Sequence, residues 1–208
     1  MDSTDKNNRT RNIVQTATNG LDPATAFSRQ SYVGAKFSLI ADTRDNRIMP
    51  MKGIFWQTSV RHLSGLNDAS YEVTQLNSDL SIYIQLVKKK LILVNRIGGG
   101  HNFGDFEFYQ AQYLGGEDHL RGYRKYRFAG RTQFYNNLEM RIGLAKFKTY
   151  LFPGSLGLLA FYDTGRIWAD NEDSNKWLSG YGGGFWISPL RRLVLTFTYS
   201  ASKEDKLP

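Results

Sequence analysis

From Tyr32 onward the chain alternates apolar and polar positions with a period of two. Val33, Ala35, Phe37, Leu39 and Ala41 share one side of the first such run, and Gly34, Lys36, Ser38 and Asp42 lie among the others. A turn at 42–53, holding Pro50 and Gly53, separates it from a second strand at 54–63. The run 71–86 is the most informative: Leu76, Leu80, Ile82, Ile84 and Leu86 fall on one face, and Gln75, Asn77, Asp79, Ser81 and Gln85 on the other. It is long for a strand of a soluble sheet. Beyond Lys88-Lys89-Lys90 the pattern predicts a strand at 91–97, a long Gly-rich and aromatic loop at 98–131, and then more strands. Leu138, Met140, Ile142 and Leu144 face away from Asn137, Glu139, Arg141, Gly143 and Ala145. The run 156–168 is apolar on both sides. In 177–187, Trp177, Tyr181, Phe185 and Ile187 alternate with Gly180, Gly182 and Gly184, and 193–200 alternates again.

These are about eight strands in hairpin order with no helix of note, a pattern that predicts an antiparallel barrel or sandwich. Several polar faces are too wet for the core of a sandwich. A transmembrane β-barrel, with apolar residues toward lipid and polar ones toward the lumen, accounts for them. The loop lengths agree: with 98–131 outside the cell, the connections at 87–90, 148–154 and 188–192 fall on the periplasmic side and are short. The turn at 42–53 falls there too and is longer than that rule predicts. Trp56, Trp168, Trp177 and Trp186 are candidates for the aromatic girdles, although for any single one of them core packing is the better reading.

Composition narrows the picture further. The mean hydropathy is -0.44, and the longest apolar runs, such as Leu91-Ile92-Leu93-Val94, are far from the roughly 18 residues of a membrane helix. A membrane role must therefore use strands. No cysteine is present, which excludes a disulfide framework and thiolate metal sites. The net charge of +8 raises nucleic acid as a partner. The basic residues nevertheless scatter through turns without forming a stripe, so solvated loops facing anionic lipid or sugars are the better reading. Residues 1–31 read as a polar loop or frayed start. The first residues carry no apolar leader segment, so the barrel reading implies a fragment.

Catalytic chemistry has no candidate. His62, His101 and His119 lack metal-ligand spacing, no nucleophile elbow or phosphate loop appears, and Gly98-Gly99-Gly100 precedes no helix. Asp170, Glu172 and Asp173 read as a solvated loop, and Lys88 to Lys90 as a periplasmic turn. The chain is expected to be no enzyme and to need no metal or other cofactor.

One segment carries a family signature. Arg121-Gly122-Tyr123, preceded by Gly115-Gly116 and followed by Asn137-Leu138-Glu139-Met140-Arg141 and by Phe161-Tyr162-Asp163-Thr164-Gly165-Arg166-Ile167-Trp168, resembles the sixth extracellular loop and the next strands of the outer-membrane assembly-factor superfamily, also called the bacterial surface antigen family. Asp42-Thr43-Arg44-Asp45 with Pro50 and Gly53 fits as well, and the resemblance covers roughly 32–205. Phe128-Ala129-Gly130 and Tyr135-Asn136-Asn137 are similar to members whose barrel follows a metallophosphoesterase domain. The resemblance implies a Gram-negative outer-membrane barrel whose loop tip, Arg121-Gly122-Tyr123, folds into the lumen with Arg121 paired to Glu139 and Asp163. The same pairing follows from the cost of an unpaired charge in a lumen: Glu139 lies on a polar strand face, and Asp163 cannot favourably face lipid. It further implies about eight strands of an expected sixteen, with residues 32–208 forming the C-terminal half of the barrel and its last strand missing, so that open edges remain.

The expected function is insertion or translocation of proteins or lipids at the outer membrane. Its partners would be outer-membrane lipids, outer-membrane protein or lipid substrates, and a fused N-terminal periplasmic or hydrolase domain. One alternative is a barrel that anchors, or forms a secretion pore for, an N-terminal metallophosphoesterase-like hydrolase. A second is a soluble basic β-protein binding nucleic acid, which predicts folding without detergent.

Overall fold

The computed structural model describes residues 28–88, 90–148, 153–170, 176–190 and 193–202. Most of the segment 1–31, parts of three short turns (89, 149–152 and 191–192), residues 171–175 with Glu172 and Asp173, and the last six residues lie outside them. Ten strands follow in chain order: β1 (Tyr32–Asp42), β2 (Gly53–Gly65), β3 (Val73–Val87), β4 (Leu91–Gly104), β5 (Gln112–Leu114), β6 (Phe128–Gly130), β7 (Thr132–Lys148), β8 (Pro153–Trp168), β9 (Leu178–Pro189) and β10 (Leu195–Ser202). Eight of them form one antiparallel sheet in the order β1-β2-β3-β4-β7-β8-β9-β10. The sheet does not close on itself: β1 and β10 are its edges, as in part of a barrel wall. The remaining two strands, β5 and β6, make a small hairpin packed on β4, β7 and β8. Among the described residues the only helix is a single 3-10 turn, Phe108–Gln110.

Solvent exposure is inverted relative to a soluble sheet. In β7, Gln133, Tyr135 and Asn137 are buried, whereas Leu138, Met140, Ile142 and Leu144 are exposed. In β3, Ser81 is buried while Leu76, Ile84 and Leu86 are exposed. The exposed apolar face continues over Tyr162 of β8, Tyr181 and Phe185 of β9, and Phe197 of β10. Water would not leave so large an apolar surface on a monomeric soluble protein, and lipid explains it.

One sequence expectation changes in the structure, and two open readings resolve. First, β4 does not stop at Ile97. It runs to Gly104, and Gly98, Gly99 and Gly100 pair with Tyr135, Phe134 and Gln133 of β7. Glycine is required because the internal hairpin and its neighbours press on the wall here. A Cβ on Gly98 would lie 2.3 Å from the Tyr135 hydroxyl, and one on Gly100 would lie 2.4 Å from Gln112 Oε1. Second, the both-sided run at 156–168 resolves: Leu159 and Phe161 point inward and are buried, and Leu158 and Tyr162 point outward. Third, Trp186 belongs to no girdle. It shares the inward face of β9 with Gly180, Gly182 and Gly184, and packs with Leu159 and Phe161. Trp56 and Trp177, by contrast, are exposed.

The long turn at 43–52 also finds its physical reason. It joins β1 to β2 at one end of the sheet order, yet Met49 packs on the cluster formed by Trp186 and its neighbours from β8 and β9. The turn thus crosses the concave side at the short-turn end. Asn46 Oδ1 accepts hydrogen bonds from the Ile48 and Met49 amides, and Asp45 Oδ1 from those of Met51 and Lys52, so the crossing is internally braced.

Candidate functional site

The chain between β5 and β6 folds onto the concave wall. Three glycines with positive φ, Gly115 (+121°), Gly116 (+85°) and Gly122 (+94°), shape its tip. The tip closes on itself: the Gly116 amide donates to Tyr123 O at 3.1 Å, and the Leu120 amide to Gly116 O at 3.0 Å. This closure projects Arg121 toward β7 and β8.

There the guanidinium meets two carboxylates. Nε donates to Asp163 Oδ2 at 2.7 Å and Nη2 to Asp163 Oδ1 at 2.8 Å, a bidentate pair. Nη1 donates to Glu139 Oε2 at 2.5 Å. The Arg121 backbone amide adds a third bond to Asp163 at 3.0 Å. Below the guanidinium lies the Phe161 ring, with its centroid 3.6 Å from Cζ. Asp163 has no exposed surface, and the side chains of Glu139 and Arg121 retain 12% and 15%. Register explains the convergence: Asn137 of β7 pairs with Asp163 of β8, and Glu139 with Phe161, so all four side chains lie on one inward patch.

Gly122 and Tyr123 complete the tip. A Cβ on Gly122 would approach Ala201 O of β10 to 2.7 Å. Tyr123 is buried, makes an edge contact with Phe128 at 5.4 Å between centroids, and packs in a small core with Leu114, Leu120, Tyr135 and Leu178. The glycines of β9 now make sense, because a Cβ on Gly180 would stand 1.8 Å from the Arg121 carbonyl oxygen. Of the alternating Gly180, Gly182 and Gly184, visible as a pattern, Gly180 lies under the loop, whereas a Cβ on Gly182 would meet the Phe161 ring and Tyr199 O, and one on Gly184 would meet Phe197 O.

Two further anchors escaped the sequence reading. On the other flank, Arg96 of β4 binds Asp79 of β3 through Nε at 2.7 and 3.0 Å and donates from Nη1 to the Asp118 carbonyl at 2.6 Å. Tyr135 donates its hydroxyl proton to the same Asp79. His119 stacks near the Tyr135 ring, and its carbonyl accepts from Asn137 Nδ2 at 2.8 Å. Burial first, and then the Arg96 charge, lowers the His119 pKa below its ordinary 6.5. Nearer the loop base, Arg131 forms a paired contact with Asp170 at 2.5 and 2.6 Å and donates to Gly104 O at 2.6 Å. That bond holds Asp170 below the usual carboxylate range. Asp79 was already on the polar face of its strand. Arg96 carried no signal, since it sits in an otherwise apolar strand and acts through a loop backbone carbonyl.

A chain with an apolar outer face, a meandering antiparallel wall and an Arg-Gly-Tyr loop on its inner side has a family counterpart. The family model described as the Omp85 superfamily domain matches residues 3–208. The chain belongs to the Omp85 superfamily. That superfamily is one of outer-membrane insertion and translocation barrels, and the chain is a protein of the Gram-negative outer membrane. Among solved structures it is similar to BamA from Haemophilus ducreyi lacking POTRA domains 1–3, with a TM-score of 0.63 and 18% identity over 83% of this chain. The likeness covers 39% of that BamA chain, so this chain spans well under half the length of its structural relative. At this identity the likeness establishes the fold, a partial antiparallel barrel. Among curated proteins, no sequence gives a significant match. The soluble nucleic-acid-binding alternative has no use for the exposed apolar belt. Among the described residues, no group of His, Asp or Glu has the arrangement of a metal site.

Proposed function

We propose that this chain is the loop-bearing part of an outer-membrane barrel that inserts or translocates proteins or lipids, and that Arg121, Gly122 and Tyr123 lock the loop to the lumen wall. One observation carries the reading: Arg121 reaches out of a loop to a bidentate bond with Asp163 on β8 and a further bond to Glu139 on β7. Breaking a buried charge pair of this kind leaves an uncompensated carboxylate, so the loop is held at a defined height in the lumen. The role is mechanical. Arg121 and its partners fix where the inner surface of the wall presents the loop to a passing substrate, and no bond of a substrate is made or broken. Outer-membrane lipids surround the belt, and a domain fused upstream of the barrel would deliver substrate from the periplasm.

The experiment is Arg121→Ala in the full-length protein, judged by the steady-state levels of outer-membrane proteins and by outer-membrane permeability to a large antibiotic. The reading expects both to deteriorate while the barrel still shows heat-modifiable gel mobility. Unchanged outer-membrane composition with a released loop would sink the functional role and leave only a structural one.

A further inference from the structure

At the short-turn end of the wall lies a cavity of about 610 Å³ that the loop lock does not use. Its charged lining comes from two places: Lys88 and Lys90 flank the β3–β4 turn, and Arg141 and Lys146 belong to β7. Lys146 faces inward because of a β-bulge between Gly143 and Ala145, which switches the strand's faces and sets Lys146 opposite Ser155. No carboxylate lines the cavity among the described residues. Glu139, just above, is already shared by Arg121 and Arg141, with Arg141 Nε at 2.6 Å from Oε1. Charge that looked scattered along the chain is therefore gathered by the hairpin order at one mouth.

The rest of the lining is apolar. Met49 and Met51 come from the crossing turn, and Ile92, Leu156 and Trp186 from the wall. Trp186 is buried, yet its indole N–H finds no hydrogen-bond partner among the described residues. An unmet buried donor is costly and marks a place where an acceptor is missing. The walls β7, β8 and β9 spend their backbone amides and carbonyls on each other. An extended peptide bound there would bury unpaired backbone groups of its own. A ligand that offers a compact anion and an alkyl chain has no such cost.

We infer that this cavity binds a phosphate-headed amphiphile, with the phosphate among Lys88, Lys90, Arg141 and Lys146 and the start of its acyl chain against Met49, Ile92 and Trp186. Lys88, Lys90 and Lys146, with no carboxylate among the described lining residues, act together with Arg141, which shares Glu139, to select the phosphate, and the apolar wall selects a lipid over the free anion. By the rule that short turns face the periplasm, the ligand would enter from the periplasmic leaflet or the periplasm itself.

The test uses the full-length protein purified in a non-ionic detergent and titrated calorimetrically with short-chain dihexanoyl phosphatidic acid. Inorganic phosphate, dihexanoyl phosphatidylcholine and an acidic peptide are titrated in parallel. Phosphatidic acid should bind at least about tenfold more tightly than each of the other three. The double variant Lys90→Gln, Lys146→Gln should weaken it by about tenfold, and Lys90→Arg, Lys146→Arg should restore it. Heat-modifiable gel mobility, which reads folding, should be the same in all three proteins. Equal binding of inorganic phosphate would reduce the cavity to a bare anion site and overturn the amphiphile. Tighter binding of the peptide, equal binding of phosphatidylcholine, or no effect of the glutamine substitutions in the folded protein would each overturn the proposal.

Discussion

Removing the Arg121 guanidinium is the most direct perturbation of the loop. Arg121→Ala deletes three charge-assisted hydrogen bonds and the stacking on Phe161. It strands Asp163, which is fully buried and keeps only the backbone amide of residue 121 among the bonds it receives from the loop. Glu139 is better protected, since Arg141 still reaches its other oxygen. Breaking a buried pair costs about 3–5 kcal/mol, and the retained partners and the 15% exposure of Arg121 place this case near the lower end. About 3 kcal/mol corresponds to roughly a hundredfold rise in the population of the undocked loop. Arg124, Lys125 and Arg127 lie just beyond the tip and are trypsin sites. The assay is the trypsin cleavage rate within the loop for the folded protein in native membranes, under conditions where opening and closing outrun cleavage. A matching double-mutant cycle with Asp163→Asn should give a coupling of about 2 kcal/mol. An Arg121→Ala loop cut no faster than wild type would refute the assignment of docking energy to this pair.

Further outcomes follow from the same geometry. Gly180→Ala puts a Cβ where the Arg121 carbonyl oxygen now sits, so it should expose the loop to trypsin much as Arg121→Ala does while leaving heat-modifiable mobility intact. Arg96→Ala removes the grip on the Asp118 carbonyl. With its side chain 35% exposed, it should loosen the loop by only about 1 kcal/mol, seen as a modest rise in the same cleavage rate. His119 has a docked pKa below its ordinary 6.5, so it is neutral in both loop states at higher pH, and below 6.5 the undocked loop takes up the proton first. Docking should therefore weaken as pH falls through and below 6.5, with a flatter acid limb of cleavage rate against pH in His119→Gln. Ile142→Arg, on the exposed face of β7, should cost about 2–4 kcal/mol in denaturant unfolding from lipid if its position is near the bilayer midplane.

Much of this architecture was legible because a strand's period of two survives in any environment. The faces of 71–86 and of the strand containing Leu138 and Met140 as far as Gly143 were correct, since each mixes strongly apolar with strongly polar positions, whereas Ala145 was misplaced because the bulge after Gly143 switches the faces. The run at 156–168 was not readable, because an inward Leu159 and Phe161 look like an outward Leu158 and Tyr162. Their facing depends on what the loop brings into the lumen. Gly98 to Gly100 read as a loop for a related reason: glycine signals a turn locally, whereas here it accommodates Tyr135 and Gln112 from elsewhere in the chain. Asp163 could be placed inward from the cost of charge in lipid, and its partner Arg121 from a motif. Arg96 could not be found, because its loop partner is a backbone carbonyl, which no side-chain pattern announces. The basic cavity was hidden by sequence distance, as Lys88 and Lys146 meet only through the hairpin order of the sheet.

The central claim is that the apolar face of the wall meets lipid while the polar face lines a lumen holding the loop. The chain has no cysteine, so single-cysteine variants report one position each. The decisive measurement is labelling of cysteines placed along β7 and β3 in native outer membranes. Each is probed with a water-soluble maleimide and, after fluorophore attachment, by quenching with nitroxide lipids. Cysteines replacing Leu138, Met140, Ile142 and Ile84 should resist the maleimide and be quenched by the lipids, and those replacing Asn77 and Gln75 should not be quenched. The opposite alternation, or quenching with no period of two, would contradict the account.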